Sequence, residues 1–318
     1  MPTGPAGEAE EAPPAGSRPA GHEAMGLPAR SDVILITLAV AGVSTSAPLI
    51  AATAAPALAI AFWRNAMAVA VVSPAVLLRF RPELRSLSRP EWLISALAGL
   101  LLAGHFATWV PSIKMTTVAS ATALVGTQPI WAAVLAGVLG RRIRPAAWAG
   151  IGVGVLGAAL VTGADFAISG RAVVGDLLAL AGGVLSAAYV TAGGASRRSV
   201  STTVYTTVAY SVCALILLVL CLAGGQRLGG YDGGTWVRLV ALTVAAQLIG
   251  HSLINRVLAS TSATVASLAL LFEVPGATLL AVIFLHQRPP LTAIPGLALL
   301  LAGLALVVRS GVRSVPVD

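Results

Sequence analysis

Charge is what this chain lacks most. Only 10% of its 318 residues are Asp, Glu, Lys or Arg, while 57% are hydrophobic. A water-soluble domain carries about 25% charged residues, so this chain cannot clothe a soluble surface of its size. That excludes an ordinary soluble enzyme and a disordered chain, and leaves a polytopic membrane protein. Lysine is nearly absent: Lys114 stands alone beside nineteen Arg. The net charge of +8 does not point to nucleic acid, because the Arg lie in short gaps between apolar runs rather than on one basic face with interleaved aromatics. Cysteine is scarce too. Cys213 and Cys221 are eight residues apart in one apolar run, about 12 Å along a helix and beyond disulfide reach. They read as apolar fillers. Motifs for ATP-driven, metal or hydrolytic chemistry are missing: there is no G-x-x-x-x-G-K-[ST], H-E-x-x-H, Cys/His zinc spacing or G-x-S-x-G. No metal and no cofactor are expected.

What is there is long apolar runs. Residues 1–30 are rich in Pro, Gly, Ala and Glu without apolar periodicity and read as a disordered tail. The tail is acidic and lacks the basic start of a secretory signal, so the first span is expected to act as its own insertion signal. From Ser31 to about Ser310 the chain is almost continuously apolar. A spanning helix needs about 20 residues, and lipid leaves backbone groups no partner outside a helix or closed barrel. The runs are too long and too uniformly apolar for barrel strands. Ten spans follow: 32–53, 57–79, 91–112, 117–138, 145–163, 175–195, 202–224, 236–257, 263–285 and 291–309. Residues 311–318 form a short C-terminal tail. With the N-terminus inside, fourteen of the Arg and Lys fall in inner segments and five in outer ones, Arg64 lying within a span. By the positive-inside rule this places both termini in the cytoplasm.

The chain also resembles itself at an offset of 146 residues. Gly104-His105 matches Gly250-His251, Pro129 matches Pro275, Gly150 matches Gly296 and Gly157 matches Gly303. Val118-Ala119-Ser120 matches Val265-Ala266-Ser267 with a slip of one, and Asp32 and Asp176 open the first and sixth spans. The expected fold is therefore an all-α polytopic membrane protein whose ten transmembrane helices form two five-helix repeats. Five is odd, so the second repeat enters the membrane inverted. Secondary transporters use such inverted repeats, with the substrate site between the halves near mid-depth.

The two copies read VASATALVGTQPIWAAVLAGVLGRRIRPAAWAGIGVGVLGAALV over 118–161 and VASLALLFEVPGATLLAVIFLHQRPPLTAIPGLALLLAGLALVV over 265–308. With the phrase Gly175-Asp176-Leu177-Leu178-Ala179-Leu180, they resemble the EamA-like group of the drug/metabolite transporter (DMT) superfamily. The resemblance covers about residues 31–310. It implies a first EamA-like repeat over 31–163, a second over 171–310, and export or exchange of small metabolites such as amino acids or drugs. This chain departs from the family at the ends of the fourth and ninth spans. Where relatives usually carry a Gly-Glu pair, it has Gly140-Arg141 and His286-Gln287, so the role of that Glu does not carry over.

Polar groups inside apolar spans are costly unless they work or are partnered. Glu273, just before Val274-Pro275, is the one acid near the middle of any assigned span and is the candidate proton carrier. Pro129 and Pro275 are candidate helix breaks; Pro275 is expected to free the Leu271 carbonyl. Gln247, His251 and Asn255 share one face of the eighth span, and His105 and Trp109 sit four apart on the third. These five are expected to line a central cavity, with Gln128 a further candidate. Arg64 could snorkel outward, pair with Glu273 or attract an anionic group. Ser44, Ser46 and Tyr189 are weaker candidates, and Trp63, Trp92 and Trp236 fit interfacial anchors. Gly150 and Gly154 form a G-x-x-x-G face for packing within one chain or between two, so a homodimer stays open. The expected partners are lipid and a small-molecule substrate in the inner or plasma membrane, with export the expected direction. Two other readings stand beside the carrier: an intramembrane enzyme built on His105, His251 and Glu273, and a structural or sensory membrane protein without flux.

Overall fold

The computed structural model describes residues 30–140, 142–166, 168–251, 253 and 269–310. Its regular elements among these residues are all helical. In chain order they are α1 (Arg30–Ser44), α2 (Ser46–Ala52), α3 (Ala57–Arg79), α4 (Arg81–Ser86), α5 (Arg89–Ile113), α6 (Val118–Val125), α7 (Gln128–Val138), α8 (Pro145–Phe166), α9 (Gly170–Ser196), α10 (Thr202–Ala223) and α11 (Gly233–Leu242). A π-helical run over Thr243–His251 follows α11, and after it come α12 (Glu273–Leu285) and α13 (Ile294–Ser310). Nine described helical stretches are long and apolar enough to cross a membrane, and Glu273–Leu285 is a shorter apolar helix. Leu78, Val138 and Phe284 face outward more than two-thirds exposed, an apolar surface suited to lipid. This is a multi-pass membrane protein. The tails 1–29 and 311–318, and the adjoining parts of the eighth and ninth assigned spans, lie outside the described residues.

Among the described residues three of the spans are interrupted, each two to four residues before a proline. Thr45 separates α1 from α2 ahead of Pro48, Gly126-Thr127 separates α6 from α7 ahead of Pro129, and Leu271-Phe272 precedes α12 and Pro275. Proline lacks an N–H and fits the first turn of a helix, where that N–H has no intrahelical partner. The chain therefore restarts its helix just before each proline instead of kinking at it. The turn residues satisfy the loosened carbonyls themselves. Thr45 Oγ1 donates to Gly42 O at 2.7 Å, and Thr127 Oγ1 donates to Leu124 O at 2.6 Å. The Leu271 carbonyl is not freed as expected: it accepts the Val274 N–H at 3.4 Å, because the break falls ahead of Pro275.

Helix starts follow ordinary capping chemistry. Ser88 and Glu91 form a reciprocal capping box at α5, and Thr117, Ser169, Ser201 and Asp232 cap α6, α9, α10 and α11. At the last of these, hydrogen bonds from the Thr235 side chain and backbone hold the Asp232 carboxyl below its usual range. Trp63 donates to Leu228 O at 2.9 Å and meets Trp236 edge-on at 5.1 Å between centroids, joining two of the expected anchors in one aromatic cluster at the start of α3.

The main packing partners are α8 with α13, α5 with α9, α3 with α10, α5 with α10, α9 with α6 and α7, and α1 with the π run, while α6 packs on α12, α3 on α11 and the π run, and α12 on α1 and α2. Exchanging each span for the one five along maps this set onto itself, as two related repeats require. The α8–α13 contact is built on glycine. A Cβ added to Gly303 would lie 2.6 Å from Gly154 Cα and 2.7 Å from Gly150 O; one added to Gly296 would lie 2.8 Å from Val161 N and 3.0 Å from Gly157 O. As the number rises on α8, the partner's number falls on α13, so these repeat-equivalent helices run antiparallel. The G-x-x-x-G face of α8 thus packs within the chain. Leu300, which stands where a second small residue was missing, packs its backbone on Gly157.

Because backbone meets backbone here, a side chain cannot be absorbed by a rotamer change. Gly303→Val is expected to overpack the crossing by about 1–3 kcal/mol or more, seen as a lower melting temperature of the detergent-purified protein. Gly163→Ala, at an α8 position with nothing within 4 Å, is expected to leave melting unchanged or slightly raised.

Candidate functional site: a cavity between the two halves

The interrupted helices end around one cavity of ≈ 260 Å³. Its wall combines Ser46, Arg64, His105, Trp109 and Gln128 from the first half with Ser186, Tyr189, Tyr210, Gln247 and Glu273 from the second. Eight side chains singled out from the sequence, Ser46, Arg64, His105, Trp109, Gln128, Tyr189, Gln247 and Glu273, meet here, and Pro129 also lines the wall. Pro275 does not; it is exposed on the outer face of α12. Asn255 and the His251 side chain lie outside the described residues. Among the described residues no group of three His, Cys, Asp or Glu could hold a metal.

Arg64 does not snorkel. It is 1% exposed. Its Nε donates to Gln247 Oε1 at 2.8 Å, an Nη reaches Ser46 Oγ at 3.4 Å, and its guanidinium carbon sits 4.5 Å from the Phe106 ring centroid. A buried guanidinium needs such partners, because isolated burial of a charge is costly. Gln247 is held in turn by donating through Nε2 to Asn65 Oδ1 at 3.4 Å. It sits in the π run, whose wider turn lies beside the cavity.

His105 faces Gly182 O through Nδ1 at 2.9 Å. A carbonyl only accepts, so Nδ1 carries the proton and Nε2 is left as an acceptor in the neutral ring. The imidazole stacks on Trp109, with centroids 5.5 Å apart and planes 18° apart. The Trp109 indole N–H and the Thr122 hydroxyl, both on the wall, are buried without a partner among the described residues. Ser186 Oγ donates to Gln128 Oε1 at 3.1 Å. Gln128 opens α7 and Glu273 opens α12, so two half-helix N-termini, each with its partial positive charge, meet the cavity. The Glu273 carboxyl sits in the first turn of α12, where that dipole favours a negative group.

The sequence profile of the EamA-like transporter family matches residues 31–163 and again residues 173–309. The chain belongs to the EamA-like transporter family. A solved structure described as "Crystal structure of protein" is similar at a TM-score of 0.58, with 21% identity over 87% of this chain and 96% of that one, and at that identity it speaks for the fold alone. No curated protein matches the chain.

At the ninth span, where this EamA-like chain departs from the usual Gly-Glu pair, the replacement residues have structural work. Gln287 Oε1 accepts the Val118 N–H at the start of α6, at 3.0 Å, and His286 ends α12 in the left-handed region, at φ 53°. Arg141 lies outside the described residues. Several polar residues went unnoticed in the sequence, among them Ser186 and Thr122 on the wall. Tyr210 lies 146 residues after Arg64, so the repeat offset could have found it. Asn65 adjoins Arg64 and faces Gln247. Asp165 falls beyond the assigned end of the fifth span, yet α8 continues through it and buries it completely.

Loss of the Arg64 acceptor is expected to be felt throughout the clamp. Gln247→Leu should cost about 1.5–3 kcal/mol, the usual scale for a hydrogen bond to a charged group, read as a drop in melting temperature. Gln247→Glu keeps an acceptor and should lose much less.

Proposed function

We propose that this EamA-like protein is a secondary transporter that moves small metabolites, amino acids or drug-like compounds, outward across the cell membrane. Both termini lie in the cytoplasm, and the ten spans form two inverted five-helix repeats that rock against each other, exposing the cavity to each side in turn. The observation that carries this reading is a polar cavity lined by both halves and met by two half-helix N-termini. Arg64 and the α7 N-terminus favour a carboxylate or other anionic end of the substrate, His105, Trp109 and Phe106 offer a flat apolar wall, and Glu273 faces a cationic end or carries a proton. The antiparallel α8–α13 crossing supports the inverted arrangement.

The reading is tested by an efflux and growth-resistance screen over amino acids and drugs in cells overproducing the protein, expected to yield at least one exported compound. With that compound in proteoliposomes, Arg64→Ala should reduce transport at least tenfold. Glu273→Gln should leave downhill movement in place and abolish its dependence on a pH gradient. Unchanged pH dependence in Glu273→Gln removes the proton role.

A further inference from the structure

A second polar feature lies outside the cavity, where the two halves join. Asp165 in the last turn of α8 and Asp176 in the second turn of α9 are both 0% exposed. Thr116, in the connection between α5 and α6, donates to Asp165 Oδ2 at 3.1 Å. Among the described residues, the other Asp165 oxygen and both Asp176 oxygens have no partner in good hydrogen-bond geometry. Thr116 joins the two acids, because its Cβ also lies 3.0 Å from a Cβ placed on Gly175, the neighbour of Asp176, and the polar groups around the Asp176 carboxyl are Thr116, Thr162 and Asp165. The α5–α6 connection closes over them tightly: a Cβ on Gly175 would lie 2.9 Å from Met115 Cβ and from Thr116 N.

Two carboxylates this close cannot both stay ionised out of water without a cation. No cation is supplied by the packed elements. Of the helices packed on α9, α6 and α7 carry no titratable side chain, and α8 carries only Asp165 itself. On α5, His105 is turned to Gly182 O on the cavity side, and Arg89 and Glu91 lie at the far end of the helix. Lys114 gives its ammonium to the carbonyls of Ala51 and Thr53, at 3.0 and 2.7 Å. Arg171 donates to Lys114 O at 3.2 Å. Each nearby cation is thus held by backbone oxygen.

We propose that Asp165 and Asp176 form a proton-binding pair at the junction of the two repeats, a carboxyl and a carboxylate sharing one exchangeable proton, separate from the central cavity. The shared proton gives one unpartnered oxygen a donor and leaves a single negative charge, which the Thr116 hydroxyl stabilises. Release of the proton would set two charges against each other across the α8–α9 junction and so push the halves apart there. The pair is independent of the transport reading, and its test does not need a substrate.

The test is infrared spectroscopy of the full-length protein in lipid nanodiscs at neutral pH, reading the deuterium-sensitive stretch of protonated carboxyls. Wild type should show the band. Glu273→Gln should retain the aspartate part of it, while Asp165→Asn and Asp176→Asn should each remove all of that part, since one proton needs both partners. If each substitution removes only half, there are two separate neutral acids and the pair is wrong. If wild type lacks the aspartate part of the band and sodium raises its melting temperature, the two carboxylates hold a metal cation and the proposal also fails. Either variant alone carries the test should the other not fold.

Discussion

The hydrocarbon core of the membrane offers no hydrogen bonds, and most features of this protein follow from that. A chain that breaks its helices or buries a guanidinium there must supply every partner from within. The interruptions at Thr45, Gly126-Thr127 and Leu271-Phe272 are accordingly small, each closed by a turn whose own hydroxyls or N–H groups satisfy the loosened carbonyls. Arg64 is similarly held by Gln247, Ser46 and the face of Phe106. Two of the buried groups that lack a partner among the described residues, Trp109 Nε1 and Thr122 Oγ1, sit on the wall of a cavity where an occupant can reach them. Tight glycine packing between α8 and α13 provides the rigid seam against which such an opening can be held.

How far the sequence revealed this depends on the kind of signal. Span positions were legible because about 20 apolar residues between Arg clusters have one stable answer in lipid. The repeat was legible through rare residues, His105 with His251 and Pro129 with Pro275, and through the glycines that prove to form the α8–α13 crossing. Eight cavity side chains were legible because polar groups stand out against an apolar background. What could not be read was direction in space. Pro275 marks a break, yet its own ring lies on the outside, and the break falls ahead of it. Arg64 was compatible with the lipid surface until the fold placed Gln247 and Phe106 beside it. Asp165 was hidden by its position past the expected helix end, where an acid normally meets water. Its burial depends on the α5–α6 connection folding over it, a tertiary contact with no local signature.

The repeat offset applied to the cavity wall separates frame from chemistry. It pairs Val43 with Tyr189, Arg64 with Tyr210, Val125 with Leu271 and Gln128 with Val274, and all eight line the cavity. Equivalent positions of the two halves therefore surround the same space, as expected if the cavity lies on the axis relating them. The chemistry does not follow that symmetry. A cation in the first half faces a phenol in the second, and Thr127, which bonds its own helix, has Glu273 as its counterpart. On the proposed carrier reading, a symmetric frame would permit two equivalent states, one open to each side, with little difference in packing energy. An asymmetric wall would give a bound molecule one orientation, because an anionic end would meet Arg64 in only one half. Duplication would then account for the ability to alternate and the divergence of a few wall residues for selectivity, so substitutions at the glycine seam and at the wall should separate the two properties.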